Sequence, residues 1–138
     1  MSDVLKAPLA PKKTPTSAPF WDGLAEGRVL LQQCEACNQW VFYPRPRCSH
    51  CLAPALLWKP VSGAATLTSW THCPRPTAPP FEALAPQTLA VVTLQEGVRM
   101  STFLLETADR PLTLGMGLAP RFVPTEDDSA VLLAFAPA

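Results

Sequence analysis

The spacing of apolar residues predicts a helix ahead of the cysteine-rich segment. Phe20, Leu24 and Leu31 recur at near-helical intervals in "FWDGLAEGRVLLQQ", a pattern typical of an amphipathic helix. Gly23 and Gly27 interrupt the stretch and weaken a helix, because glycine has more conformational freedom to lose than other residues. We therefore expect a short, glycine-interrupted helix that runs into the cysteines.

Alternation of apolar and polar residues predicts strands in the second half of the chain. A proline-dense loop over residues 74–86 and a turn at 95–97 that ends in glycine separate these segments, and both interrupt strands. The expected strands cover residues 61–73, 87–94, 98–106, 117–123 and 130–136. Five closely spaced strands predict a small Greek-key barrel.

The same alternation assigns faces to these strands. Residues 98, 100, 102 and 104 should point into the barrel, so that Phe103 and Leu105 point outward. An isolated antiparallel barrel keeps its outer face polar. Either a protein partner covers this apolar outer face, or the barrel ends and the N-terminal helix do so.

Three regions follow from these patterns. Residues 1–19 are rich in proline and lysine and have no apolar period, which predicts a disordered arm. Residues 20–60 hold the helix and the cysteines, and residues 61–138 hold the barrel. A chain of 138 residues has room for about one domain with a small appendage.

Composition narrows the classes of function. Charged residues make up 16% of the chain and hydrophobic residues 48%, against about 25% charged residues in ordinary globular proteins. Eleven basic residues balance eleven acidic ones, which disfavours binding to nucleic acid or to an anionic membrane. The chain lacks both a signal-peptide pattern and a run of about 20 apolar residues, so we expect a cytoplasmic protein.

Four cysteines have the spacing of a metal site. Cys34, Cys37, Cys48 and Cys51 form two C-x-x-C pairs separated by ten residues, and in a reducing cytosol such pairs bind metal more readily than they form disulfides. Four thiolates fill a tetrahedral zinc site and leave no position for substrate, so the ion is structural. Iron is an alternative ion, and His50 is an alternative ligand.

The residues around the pairs lead to two further expectations. Asn38 and Leu52 follow the first and second pair, where a left-handed backbone is common; because leucine adopts it less readily than asparagine, the second turn should be less regular. Arg45 and Arg47 lie between the pairs, either to offset the negative charge of four thiolates or as solvated loop residues.

Candidate catalytic groups are few. His72 and Cys73 are neighbours on a predicted strand, so they point to opposite faces, and Cys73 shares the alternation of Ala65 and Leu67, the core side. The acidic residues 126–128 lie in a polar segment that reads as a solvated turn. The sequence therefore favours a non-catalytic protein.

The order of these parts resembles a bacterial and archaeal family of small proteins associated with acyl-CoA enzymes, built from a rubredoxin-like zinc ribbon and an OB-fold barrel. The resemblance covers residues 20–136. It rests on the aromatic-led segment, the four cysteines with their Pro/Arg loop, and the entries to the barrel strands. The matching residues are Phe20, Trp21, Leu24, Gly27, Leu30, Cys34, Cys37, Pro44, Arg45, Cys48, Cys51, Trp58, Val61, Ser62, Gly63, Leu94, Gly97, Val98, Gly115 and Met116. Leu52 departs from the family pattern, which has a small residue there.

The resemblance implies an accessory subunit that binds a thiolase-fold enzyme (a thiolase, an acyltransferase or a retro-aldolase) and supports its action on acyl-CoA thioesters. A hot-dog-fold enoyl-CoA hydratase is the alternative partner. Nucleic-acid binding is a third possibility, since zinc ribbons and OB barrels both perform it. The residues expected to contact a partner or CoA are aromatic or cationic: Phe20, Trp21, Trp40, Phe42, Tyr43, Arg45, Arg47 and Phe103.

Overall fold

The computed structural model describes residues 6–76, 78–84, 86–108 and 110–138. It contains one α-helix, one 3-10 helix and eight strands in that part of the chain. In chain order these are α1 (Ala18–Ala25), β1 (Val29–Cys34), β2 (Trp40–Val41), β3 (Leu56–Val61), β4 (Ala65–Cys73), the 3-10 helix (Pro79–Leu84), β5 (Gln87–Leu94), β6 (Arg99–Leu104), β7 (Gly117–Pro124) and β8 (Val131–Pro137).

The predicted fold class is confirmed. A three-stranded antiparallel sheet in the order β2-β1-β3 carries the cysteines, and a closed barrel in the order β4-β5-β6-β8-β7 follows it. Within the barrel, β6 and β8 run parallel and the other neighbours run antiparallel. This is the five-stranded Greek-key barrel of the OB-fold.

The predicted helix is shorter than its apolar period suggested. It ends at Ala25, and the apolar residues after it form strand β1. Gly27 has a φ of 74°, its N–H donates to the Leu24 carbonyl, and the Arg28 N–H donates to the Gly23 carbonyl at 2.8 Å. This pair of hydrogen bonds is the Schellman ending of a helix, and it needs a residue that tolerates positive φ. The prediction that the helix runs into the cysteines was wrong for this reason.

One apolar cluster connects the ribbon to the barrel. Phe20 and Leu24 of α1 and Leu31 of β1 belong to the same buried cluster as Val92 and Phe135 inside the barrel. The predicted inward face of β6 is also correct, because Met100 and Leu104 are buried. The helix and the ribbon sheet therefore pack directly against the barrel.

A β-bulge reverses the predicted faces at the end of β4. Leu67 pairs with Val92, whereas Ser69 pairs with Val91, so that Thr68 has no partner in the register. The extra residue shifts the alternation by one position. As a result Cys73 lies on the face of Ser69, opposite Leu67, and the prediction that it lies on the core side was wrong.

The arm is partly ordered, in contrast to the prediction of a disordered segment. Ala7 is fully buried, its N–H donates to the Pro124 carbonyl at 2.9 Å, and its carbonyl accepts from the Glu126 N–H at 2.8 Å. These bonds extend the end of β7 by one bridge. Residues 1–5 lie outside the described residues.

The same arm covers part of the apolar outer face. Ala7 packs in a second cluster with Val123 and Ala134, and Phe103 and Leu105 pack against that cluster. Part of the outer face is thus covered internally. None of the described helices is long and apolar enough to cross a membrane.

Candidate metal centre and docking groove

The four predicted cysteines form one cluster. Their sulfur atoms all lie within 4.8 Å of one another, and the Cys34–Cys51 and Cys37–Cys48 sulfur pairs are each 3.6 Å apart. A tetrahedral zinc ion with Zn–S bonds of about 2.3 Å requires sulfur separations of about 3.8 Å. The four thiolates therefore fit a structural zinc ion, and His50 lies outside the set of ligands.

Two matching backbone turns build the cluster. The Asn38 N–H donates to the Cys34 carbonyl at 2.8 Å, and the Leu52 N–H donates to the Cys48 carbonyl at 3.0 Å. Asn38 and Leu52 have φ values of 62° and 66°. The second turn is therefore as regular as the first, and the expectation that leucine would distort it was wrong; the leucine adopts the left-handed backbone that the turn requires.

The sulfurs hold their protons unequally before a metal ion binds. The backbone N–H of Cys51, followed by that of His50, lowers the pKa of Cys48 to about 6. At Cys37 the backbone N–H of Gln39 lowers the pKa, but loss of hydration and the other three sulfurs together outweigh it and raise the pKa to about 12. The two sulfurs therefore titrate as a coupled pair, and a metal ion displaces the remaining protons when it binds, because thiolates are the ligands.

Gln32 positions the loop between the cysteine pairs, and sequence reasoning missed it. Its side-chain amide donates to the Arg45 carbonyl at 2.9 Å and accepts from the Arg45 N–H at 2.9 Å. Gln32 is 5% exposed, and buried amides need such partners. The available signal was a pair of polar residues, Gln32 and Gln33, that follows the apolar start of this strand.

The two arginines of the loop bond to the backbone. The Arg45 guanidinium donates to the Tyr43 carbonyl at 3.1 Å, and that of Arg47 donates to the Leu52 carbonyl at 3.1 Å. Each arginine therefore stabilises the shape of the loop. These backbone contacts are a role that neither prediction for the two arginines included.

Five of the predicted contact residues line one groove of about 510 Å³. Phe20 stacks edge-on against Trp21 with ring centres 5.0 Å apart, and it also lies 5.5 Å from Phe42. Phe42 in turn lies 4.4 Å from Tyr43, and Phe103 completes the aromatic lining. The arm adds the positive charge of Lys12 to the lining.

The groove opens where the barrel is weakly paired. Strands β6 and β8 share a single paired position, Leu104 with Phe135. Next to it the Thr102 hydroxyl donates to the Leu133 carbonyl at 3.1 Å, in place of a backbone ladder. Residues 100–103 and 132–133 line the gap between the two strands, so the groove reaches from the ribbon loop to the barrel wall.

The remaining predicted residues lie elsewhere. Trp40 lines a second cleft, of about 390 Å³, between the second cysteine turn and the β5–β6 turn, together with His50, Glu96 and Arg99. Arg45 and Arg47 line neither this cleft nor the groove. The structure therefore divides the predicted contact residues between two openings and the loop itself.

The described residues contain no assembled catalytic group. His72 pairs with Thr88, and Cys73 pairs with Gln87, so the two side chains diverge as predicted. Asp127 accepts from the Thr125 hydroxyl at 2.6 Å and from the Ser129 N–H at 3.0 Å. The acidic segment is thus a hydrogen-bonded turn, and the Thr125 hydroxyl is the main cause that lowers the pKa of Asp127 to about 2.

Comparisons with known proteins agree with this architecture. Two family models match consecutive parts of the chain: the rubredoxin-like zinc ribbon domain of ChsH2 matches residues 21–56, and the C-terminal OB-fold domain of ChsH2 matches residues 58–123. A solved structure described as an Ltp2-ChsH2(DUF35) aldolase superposes with a TM-score of 0.80 at 26% identity, over 93% of this chain and 98% of that chain.

Two further matches are a solved structure that shares the fold and a longer protein that is similar in sequence. A DUF35-family protein of unknown function from Sulfolobus solfataricus shares the fold, with a TM-score of 0.62 at 13% identity over 91% of this chain and 87% of that chain. A probable enoyl-CoA hydratase alpha subunit from Thermomonospora curvata is 33% identical over 100 residues, which is 70% of this chain. The match spans only 30% of that relative's length.

Proposed function

The chain belongs to the ChsH2 family of zinc-ribbon and OB-fold proteins, and from this membership we propose that it is a non-catalytic accessory subunit of a thiolase-fold enzyme. The enzyme acts on acyl-CoA thioesters, and the complex works in the cytoplasm. The main support is the similarity to a chain of the solved Ltp2-ChsH2(DUF35) aldolase, which extends over 98% of that chain.

The shape of the molecule supports an accessory role. The cysteines use all four positions of a tetrahedral ion, so this centre offers no open position for substrate. The aromatic groove is the natural contact site for the catalytic subunit or for the thioester it holds, because partly exposed aromatic residues dominate protein interfaces. Tyr43 is 58% exposed there.

A hot-dog-fold enoyl-CoA hydratase is the second candidate partner. The Thermomonospora curvata relative is named as a hydratase alpha subunit and is about three times as long as the matched segment. In that relative a similar module is part of a longer chain. For the present chain, a separate hydratase subunit would take the place of the remainder of that longer chain.

Nucleic-acid binding has less support. OB-folds bind oligonucleotides on the outer face of their second and third strands, which are β5 and β6 here. Leu89, Val91, Ser101 and Phe103 occupy that face with one cation, Arg99, and the chain has no net charge. Single-stranded binding requires a basic groove along the backbone, and this face lacks one within the described residues.

Co-purification tests the proposal. The chain is co-expressed in turn with a thiolase-fold protein and with a hydratase from the same genome, and each mixture is analysed by size-exclusion chromatography with light scattering. A complex with the thiolase-fold protein and a higher rate of thioester turnover are expected. Separate elution from it, with full activity of the enzyme alone, would overturn the proposal.

A pair of variants tests the groove. Tyr43→Ala removes an exposed groove aromatic and should weaken the complex about tenfold, as truncation of an interface aromatic commonly does. Phe122→Ala is the matched control, because Phe122 is exposed but lies outside the groove lining. If Tyr43→Ala bound the enzyme as tightly as Phe122→Ala does, the groove would be excluded as the contact site.

A further inference from the structure

The leucine at the second cysteine turn is unfavourable in two ways in the free chain. Leu52 has a φ of 66°, a backbone region that favours glycine and asparagine over bulky residues. Its side chain is 68% exposed. The equivalent position in the first turn carries Asn38 at a φ of 62°, which shows the residue type that the turn itself prefers.

The Leu52 side chain adds nothing to the core of the ribbon. The buried cluster there consists of Cys34, Val41 and Cys48, and the partly buried residues packed on it do not include Leu52. A residue that contradicts its local backbone preference without a packing contact indicates a role outside the folding of the chain.

The backbone of Leu52 is nevertheless held on both sides. Its N–H donates to the Cys48 carbonyl at 3.0 Å, and its carbonyl accepts from the Arg47 guanidinium at 3.1 Å. The metal centre holds Cys48 and Cys51 next to it. Because this backbone is already fixed, burial of the side chain by a partner costs only the entropy of its rotamers and no ordering of the loop.

We propose that Leu52 is an apolar anchor that inserts into a pocket on the catalytic partner subunit. Arg47 is exposed and lies beside the leucine carbonyl, and the loop from residue 44 to residue 52 contains two arginines and no acidic residue. The pocket is therefore apolar with a carboxylate at its edge. This inference rests on the proposed function, and it assigns that subunit a second contact besides the aromatic groove.

Substitution of Leu52 by asparagine separates its role in the backbone turn from its role as an apolar anchor. Leu52→Asn gives the second turn the residue of the first, so the melting temperature of the isolated chain should stay the same or rise by a few degrees, with metal content unchanged. Affinity for the purified thiolase-fold subunit, measured by isothermal titration calorimetry, should fall about tenfold or more. Leu52→Ala keeps an apolar Cβ atom, so its affinity for the subunit should lie between those of the wild type and of Leu52→Asn.

Two controls complete the design. Leu114 is 67% exposed and does not have positive φ, so Leu114→Asn should change neither stability nor affinity. Asn38→Leu should lower the melting temperature without a gain in affinity. A stable Leu52→Asn chain that binds with wild-type affinity overturns the anchor and leaves the accessory function intact.

Two other outcomes also decide the matter. Loss of metal or a lower melting temperature in Leu52→Asn contradicts the premise that the leucine is not needed for folding, and it overturns the anchor. If the wild-type chain itself does not bind the thiolase-fold subunit, the proposed function and the anchor both fall.

Discussion

The head of the ribbon, which is the cysteine-bearing part over residues 34–55, and the interior of the barrel are stabilised in different ways. Around the cysteines, the buried residues are Cys34, Val41 and Cys48. In the barrel, Leu67, Val92, Leu94 and Phe135 are members of a long apolar cluster. A core as small as the first cannot offset the entropy of ordering its chain, so the head depends on the ion that its four thiolates bind.

The ribbon and the barrel share one apolar cluster. Phe20 and Leu24 of α1 and Val29 of β1 belong to the barrel cluster, although the chain there leads directly to the cysteines. Loss of the metal should therefore disorder the cysteine turns more than α1 and the start of β1. We therefore expect that order is lost gradually from the cysteine turns towards the barrel when the metal is removed, and that the two regions do not unfold independently.

Metal removal is the largest expected effect. Cys34→Ser deletes a fully buried ligand and forfeits most of a binding free energy that is about 10 kcal/mol in structural zinc sites. We expect loss of the ion and of ordered NMR signals over residues 34–55, while barrel signals persist. Cys73→Ser is the matched control, because Cys73 lies outside the cluster. Wild-type metal content and melting in Cys34→Ser would contradict the dependence of the head on its ion.

A cavity in the barrel should produce the opposite pattern. Phe135 is completely buried, and Phe135→Ala should lower the free energy of unfolding by about 3–5 kcal/mol. One metal ion per chain should still bind, since the cysteines are unchanged. Urea unfolding and metal analysis measure the two quantities, with the exposed Phe122→Ala as control. A Phe135→Ala chain that lost its metal ion but kept the stability of the barrel would contradict the difference between the two regions.

The parts of the structure that sequence predicted well depend on short-range patterns. The C-x-x-C spacing identified four cysteines, and the sulfur distances show that they form one cluster able to hold a metal ion. The alternation and the Gly97 turn placed the hairpin of β5 and β6. These features need only the neighbours along the chain, so the residues themselves carry the information.

The missed features depend on partners far along the chain. Val29–Leu31 is a short apolar run that suits a helix or a strand equally, and it became a strand through pairing with β3. The bulge at Thr68 is visible only in its register with β5. Ala7 is ordered by Pro124 and Glu126, and Gln32 by the loop carbonyl and N–H of Arg45. Local composition does not encode such contacts.

The junction between ribbon and barrel should respond to a single methyl group. A Cβ atom on Gly63 would lie 2.7 Å from the Pro120 side chain, and its φ is 80°. Gly63→Ala should therefore cost about 2 kcal/mol or more, of which about 1 kcal/mol is backbone strain. Gly27→Ala isolates that strain, because its φ is 74° but nothing lies within 4 Å of the added atom. Equal melting temperatures for the two variants would show that the ribbon and barrel have room to move apart.

The smallest expected effect is a pH dependence confined to the barrel. The hydroxyl of Thr125, followed by that of Ser129, lowers the pKa of Asp127 from 3.8 to about 2. A depressed pKa stabilises the fold above the ordinary value, and this stability is lost as pH falls through about 2. Asp127→Asn should therefore be less stable than the wild type at pH 5, and the difference should shrink towards pH 2 in urea unfolding followed by barrel NMR signals.

Glu126→Gln is the control for this pH dependence, because the Glu126 side chain makes no hydrogen bond within the described part of the chain. Its difference from the wild type should not change over the same pH range. A constant difference for Asp127→Asn as well would mean that the turn is held by its neutral hydroxyls and not by the carboxylate. In that case the Asp127 carboxylate would contribute nothing to the acid sensitivity of the barrel, whereas at the cysteines protons would still compete with the metal ion.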